Sequence, residues 1–138
     1  MKKTIGIHFT QENGVRLTRN GAFDPDVERD GNMWRMYVGT LEGNQVVSAS
    51  STDGLNFTEE GVAFMGGAVP DVYHADDLWY LYTAGINIAT STDGKTFVAT
   101  GESFHSSNSM VTADPSVVKL SSGKYLMLYK INPTNGKR

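Results

Sequence analysis

Short apolar runs, bounded by Gly, Asn and Asp, recur along the whole chain, and no segment keeps a sustained apolar period of 3.6 residues. That pattern predicts strands rather than helices. The runs are also copies of one another. Ile5-Gly6-Ile7-His8-Phe9 leads through Asn13-Gly14 to Leu17 and Gly21. Val46-Val47-Ser48-Ala49-Ser50 leads through Asp53-Gly54 to Phe57 and Gly61, and Ile86-Asn87-Ile88-Ala89-Thr90 through Asp93-Gly94 to Phe97 and Gly101. The turn glycines Gly14, Gly54 and Gly94 stand 40 residues apart. A second unit, Phe23-Asp24-Pro25-Asp26-Val27, returns as Val69-Pro70-Asp71-Val72 and as Ala113-Asp114-Pro115-Ser116-Val117, with its prolines 45 residues apart. Periods of this size belong to stacked or circular repeat architectures.

Each complete repeat reads as four strands. In the first, they run over residues 26–29, 34–40, 45–50 and 56–59, with tight turns at Asp30-Gly31, Gly43-Asn44 and Asp53-Gly54. The second runs over 71–74, 79–83, 86–90 and 96–99. The second strands, such as Leu78-Trp79-Tyr80-Leu81-Tyr82 and Tyr125-Leu126-Met127-Leu128-Tyr129, are apolar at successive positions. A sheet with one wet face alternates apolar and polar, so these sheets are expected to be covered on both faces. Four-stranded antiparallel sheets stacked face to face around an axis are the blades of a β-propeller. A β-sandwich is the alternative, but its sheets are each covered on one face only.

The fold expected is therefore all-β: an outer strand pair at 1–21, a blade at 22–61, a blade at 62–101 and an inner strand pair at 102–138. That makes three blades' worth, with the N-terminal strands completing the last blade. Propellers have roughly four to eight blades, so a ring of three is too open. A homodimer forming one six-bladed ring is expected, unless the chain is a piece of a longer propeller.

Composition narrows the function classes. A net charge of −3 argues against a nucleic-acid groove, which needs a basic stripe. No stretch approaches the roughly 20 apolar residues of a membrane span. The absence of cysteine removes disulfides, zinc-thiolate sites and thiol nucleophiles. Met1-Lys2-Lys3 is not followed by the apolar core of a signal peptide, and the compartment stays open.

Asp-Pro-x-Val, then a Gly turn, then an aromatic strand, resembles the blade signature of the five-bladed propeller glycosidases, the arabinanase/xylosidase and invertase/levansucrase families. Ala113-Asp114-Pro115-Ser116-Val117 with Ser122-Gly123-Lys124-Tyr125-Leu126-Met127-Leu128-Tyr129 carries it best, and Phe23 to Val27 with Trp34-Arg35-Met36-Tyr37 is a second match. Ala49 to Phe57 and Ala89 to Phe97 are similar to the outer hairpins of those families and to sialidase Asp-box turns. The resemblance implies carboxylates at a central funnel: an Asp-Pro aspartate as base or nucleophile, a second Asp that stabilises the transition state, and a Glu as general acid. Asp24 and Asp114 match the Asp-Pro carboxylate. In the second repeat Val69 takes that place and the carboxylate follows the proline, at Asp71, where the other repeats have Asp26 and Ser116. No segment matches the Glu motif.

Blade geometry puts the start of strand one and the turn between strands two and three on one face. Asp24, Asp26, Asp71 and Asp114 are thus expected at the funnel mouth, joined by Glu42 and by His105 on the connection 101–112. Glycoside cleavage needs two carboxyl groups in different protonation states. Asp24 and Asp114 suit the ionised role, Asp71 is a further catalytic candidate, and Glu42 is the acid on that face. Asp26 and His105 are candidates for holding a sugar. An Asp before Pro also has a purely structural use, starting an extended segment and bonding nearby amides. No cofactor is expected; converging carboxylates would admit calcium, although Asp24-x-Asp26 lacks the acids that continue a dedicated calcium loop. His8, His74 and His105 show no metal-ligand spacing, and His74, beside Asp76-Asp77, reads as a surface loop residue. Trp34 and Trp79 read as packing residues between blades. The function expected is sugar binding or glycoside hydrolysis; the alternative is a non-catalytic scaffold for protein partners.

Overall fold

The computed structural model describes residues 10–75, 77–105 and 111–132. It contains ten strands and, among the described residues, no helix. Strands β1 (Ala22–Asp30), β2 (Met33–Thr40), β3 (Gln45–Ser51) and β4 (Thr58–Met65) form one antiparallel sheet in chain order. Strands β5 (Asp71–Ala75), β6 (Leu78–Tyr82), β7 (Asn87–Ser91) and β8 (Val98–Ser103) form a second in the same order. Strands β9 (Val111–Lys119) and β10 (Tyr125–Asn132) pair as a third, two-stranded sheet. The first strands of successive sheets are neighbours, β1 beside β5 and β5 beside β9. Sheets stacked with their first strands converging are blades around an axis.

The fourth strands run further than the sequence indicates. The expected blade limits at residues 61 and 101 fall inside β4 and β8, which end at Met65 and Ser103. Residues 10–21 hold turns and bends but no strand. The expected strand at Ile5–Phe9, with His8, lies outside the described residues, as do Asp76 and residues 106–110.

The outer turns show why the 40-residue period exists. In 51–56 the Asp53 Oδ1 accepts hydrogen bonds from the amides of Leu55 and Asn56, each at 2.8 Å, while Ser51 Oγ accepts from Gly54 N at 2.9 Å. The turn at 91–96 repeats it with Asp93, Lys95, Thr96, Ser91 and Gly94. Bonds to these amides hold both carboxyls below the usual range; for Asp53 the Asn56 amide contributes most, for Asp93 the Lys95 amide. Both aspartates are turn residues, as their Asp-Gly context indicates.

The core lies between the first two sheets. Tyr37 is fully buried in a cluster with Val46, Phe64, Val72, Trp79, Leu81 and Phe97. Its ring meets Phe97 edge-on at 5.8 Å, and its hydroxyl donates to the Gly94 carbonyl at 2.7 Å. One side chain thus ties the second strand of one blade to the outer turn of the next. Beside it the buried Arg35 donates to Asp30 at 2.9 Å and to Glu60. His74 is not a loop residue: it sits in β5, and its ring stacks on Trp79 at 3.9 Å. The turn-like Asp76-Asp77 composition begins only after the strand has ended. Trp79 is buried between the sheets, as a packing residue should be.

Coverage on both faces holds for β2, whose residues Arg35–Thr40 are all buried. Tyr37 faces the second sheet, while Met36 and Val38 are covered from the other side by Leu17 and Phe57. It does not hold for β10, where Leu126, Leu128 and Ile131 are exposed.

Tyr37→Phe, which removes only the bond to Gly94, is expected to cost about 1 kcal/mol of stability in chemical denaturation; Tyr37→Ala is expected to cost about 3–5 kcal/mol. Gly94→Ala should cost more than Gly31→Ala. Both glycines have positive φ, but a Cβ at Gly94 would stand 2.9 Å from the Trp79 ring, whereas one at Gly31 meets nothing within 4 Å.

Candidate functional site

The same irregularity recurs in all three repeats, within β1 and β9 and just ahead of β5. Asp24, Val69 and Asp114 have φ of 47°, 58° and 51°, and each immediately precedes a proline. Left-handed backbone is unfavourable for a residue with a Cβ, most of all for a β-branched one such as Val69. The pairing slips at the same places: between Phe23 and Asp26 on β1, and opposite the Leu128–Lys130 step on β9. These are β-bulges, which bend a strand and re-aim its side chains. Asp24 and Asp114 are exposed there, and the Lys130 ammonium approaches Asp114 Oδ2 at 3.4 Å. Ahead of the second sheet Val69 shares the left-handed conformation but lies before β5 begins, the β5–β6 pairing runs without a slip, and the position has no carboxylate.

Two residues after the bulge the role changes. Asp26 Oδ2 accepts a hydrogen bond from the Val72 amide at 2.7 Å, and Asp71 Oδ2 accepts one from the Val117 amide at 3.0 Å. Both bonds span 46 residues and join one inner strand to the next. Asp26 and Asp71 therefore hold equivalent places, and each links its blade to its neighbour. In the third sheet Ser116 stands at this place.

These carboxylates lie close enough to influence one another. Burial first, then the Asp26 charge, push the Asp71 carboxyl up to about 7 against the lowering effect of the Val117 amide. Asp26 is also raised, by burial first, with the amides of Val72 and Val27 opposing. Glu28 is raised by burial and then by Asp26. Glu28 was not singled out in the sequence, yet its position two residues from Asp26 on a strand puts both on one face. The Tyr82 hydroxyl is raised by burial first and by Tyr80, Asp71 and Tyr125 after it, so an aromatic group adjoins the acids.

The remaining candidates stand apart from this cluster. Glu42 is exposed in the β2–β3 turn, where its carbonyl accepts from Thr40 Oγ1 at 2.9 Å. His105 is exposed after β8, with Nε2 2.8 Å from Ser103 Oγ. Among the described residues no three His, Cys, Asp or Glu side chains are grouped so as to hold a metal ion. The structure thus brings together Asp26, Asp71 and Glu28, sets Asp24 and Asp114 at the bulges, and leaves Glu42 and His105 on separate loops.

No family model matches the sequence, and no curated protein is similar to it. Solved structures do match. The chain is similar to an endo-arabinase from Bacteroides thetaiotaomicron (21% identity, TM-score 0.67, covering 77% of this chain and 44% of the other). It is similar to CoXyl43, a GH43 β-xylosidase/α-arabinofuranosidase from a compost microbial metagenome solved with xylotriose (19%, 0.68, 80% and 43%). The α-L-arabinanase of Cellvibrio cellulosa also matches (19%, 0.59, 79% and 44%). The chain spans less than half the length of these structures. Its resemblance to the five-bladed propeller glycosidases therefore holds at the level of fold.

Asp71 binds its proton more tightly in the folded chain than in the unfolded one, whose value is near 3.8. Its contribution is complete below that value and is lost as pH rises through about 7. Asp26 and Glu28 act in the same direction. Wild type is therefore expected to melt at progressively lower temperature between about pH 4 and pH 8. Asp71→Asn, neutral and still able to accept from Val117, should flatten this decline and melt above wild type at about pH 8. Thermal denaturation across that range measures both.

Proposed function

We propose that this chain is a carbohydrate-binding propeller unit whose sugar contacts are made by the bulge aspartates Asp24 and Asp114. One observation carries the reading. An unfavourable left-handed residue before proline recurs in all three repeats, and in the two where it lies within the inner strand it is an exposed aspartate. Backbone strain of this kind costs on the order of 1–3 kcal/mol per residue and clusters at functional sites. A carboxylate is suited to the task, since it accepts two hydroxyl hydrogen bonds from vicinal groups of a sugar. The likeness to arabinan- and xylan-acting propellers points to pentose-containing oligosaccharides as the ligand class.

Each chain supplies three blades' worth to this reading, the third in part. Asp26 and Asp71 hold adjacent blades in register, and the rim aspartates are positioned by the strands so fixed.

A second reading, glycoside hydrolysis, is favoured by Asp71. A carboxyl pushed up to about 7 keeps a proton to donate near neutral pH, whereas a glycosidase also needs an ionised partner.

The test is a glycan array with xylo- and arabino-oligosaccharides, followed by titration calorimetry and a panel of aryl glycosides. Asp114→Asn and Asp24→Asn are each expected to weaken binding about tenfold or more while leaving the melting temperature within a few degrees. Turnover that vanishes in Asp71→Asn would favour hydrolysis. Absence of both glycan binding and turnover in wild type would leave a scaffold.

A further inference from the structure

We propose that the outer edge of β10 is completed by residues 5–9 of a second copy of this chain, so that two chains close one ring. In the first two sheets the second strand is paired on both sides: Tyr37 lies between Asp26 and Ser48, and Tyr82 between Asp71 and Ile88. Leu128 holds the same place in the third sheet, opposite Ser116. Among the described residues nothing pairs with its other side, and it is 64% exposed. The repeat supplies the missing strand. Ile5-Gly6-Ile7-His8-Phe9 aligns with Val46–Ser50 and Ile86–Thr90, which puts Ile7 where Ser48 and Ile88 stand.

The segment that follows residues 5–9 is anchored at the wrong end of the array to serve its own β10. Arg16 Nη1 donates to the Leu55 carbonyl at 3.3 Å, Arg19 pairs with Glu59, and Leu17 packs on Met36, Val38 and Val47. These contacts lie on the side of the first sheet that faces away from the second. The second sheet stands between that position and the third. A ring closed by the strands of this sequence alone would have three blades; the same strands with a second copy make a ring of six, within the known range.

The two ends of the array also match in chemistry. The free face of the third sheet exposes Val118, Leu126 and Leu128. The free face of the first sheet holds an apolar cavity of about 300 Å³, lined by Val15, Leu17, Phe23, Pro25, Met36 and Val38. A further cavity of about 250 Å³ opens between the second sheet and β10, lined by Tyr73, Tyr80, Tyr82 and Tyr125. Between the first and second sheets the corresponding ring, Tyr37, is covered by Phe97 from an outer turn of the next blade. The third sheet has no such turn of its own among the described residues, and the outer hairpin of a second copy provides one. Apolar edge-to-edge and face-to-face contact of this kind removes an open strand edge and an apolar patch together. The rim is then shared, with Asp114 of each chain in the blade beside the one that carries Asp24 of the other.

This inference does not depend on a sugar, and its test reads mass rather than binding. Light scattering of the wild-type chain at micromolar concentration should give twice the 15.0 kDa chain mass. The chain has no cysteine, so an introduced pair reports register directly. The double variant Ile7→Cys/Leu128→Cys, oxidised, should migrate as a covalent dimer on a non-reducing gel. Mixing the two single variants should yield the same dimer, and neither single variant should form it alone. A 15 kDa wild-type monomer, an intramolecular Ile7–Leu128 cross-link, or a dimer with no cross-link between these positions would each overturn the proposal.

Discussion

One hydrogen bond, made twice, sets the frame for everything else in this molecule. An inner-strand carboxylate accepts the backbone amide of the next inner strand, Asp26 from Val72 and Asp71 from Val117. Apolar packing between sheets is non-directional and tolerates sliding. A directional hydrogen bond to one particular amide does not. It fixes the height of each blade relative to its neighbour, and with it the place of the bulge two residues earlier. The core follows the same alignment, since Tyr37 reaches Gly94 only when the second blade is in register with the first.

That arrangement has an electrostatic cost. Placing Asp26, Glu28 and Asp71 on converging strands raises all three carboxyls, because each loses water and Glu28 and Asp71 also meet the charge of Asp26. The backbone amides offset part of this but not all. The same crowding that weakens the fold as pH rises gives Asp71 a proton at neutral pH, so cohesion and acid character arise from one group. The aspartates at the bulges are free of this duty. Asp24 and Asp114 stand exposed at left-handed positions, Asp114 beside the Lys130 ammonium.

Much of the fold was legible in the sequence because its signals are local. Asp53-Gly54 and Asp93-Gly94 mark turns whose hydrogen bonds close within a few residues, and the prolines recurring every 45 residues mark each inner strand. What was hidden is what depends on partners distant in the chain. That Asp26 and Asp71 also tie one inner strand to the next was hidden, because a sequence does not display the amide that lies 46 residues away. His74 looks like a loop residue from its acidic neighbours, whereas Trp79 across the strand pair holds it in the sheet. Glu28 drew no attention because its meaning comes only from sharing a face with Asp26. The ends of β4 and β8 extend past their glycines, since tertiary pairing with β3 and β7 outweighs the local turn signal.

Among the described residues, the main contacts between sheets join each sheet to the one before and the one after it. An array of that kind behaves as a one-dimensional lattice, in which stability is a sum of unit and nearest-neighbour terms. The middle sheet has two neighbours, and the outer ones have one each. Loss of order in the described array therefore starts at the two-stranded sheet and travels inward, so that amide exchange should be fastest in β10 and slowest in β6. Closing the array into a ring would abolish that gradient, because a circle has no first unit to lose.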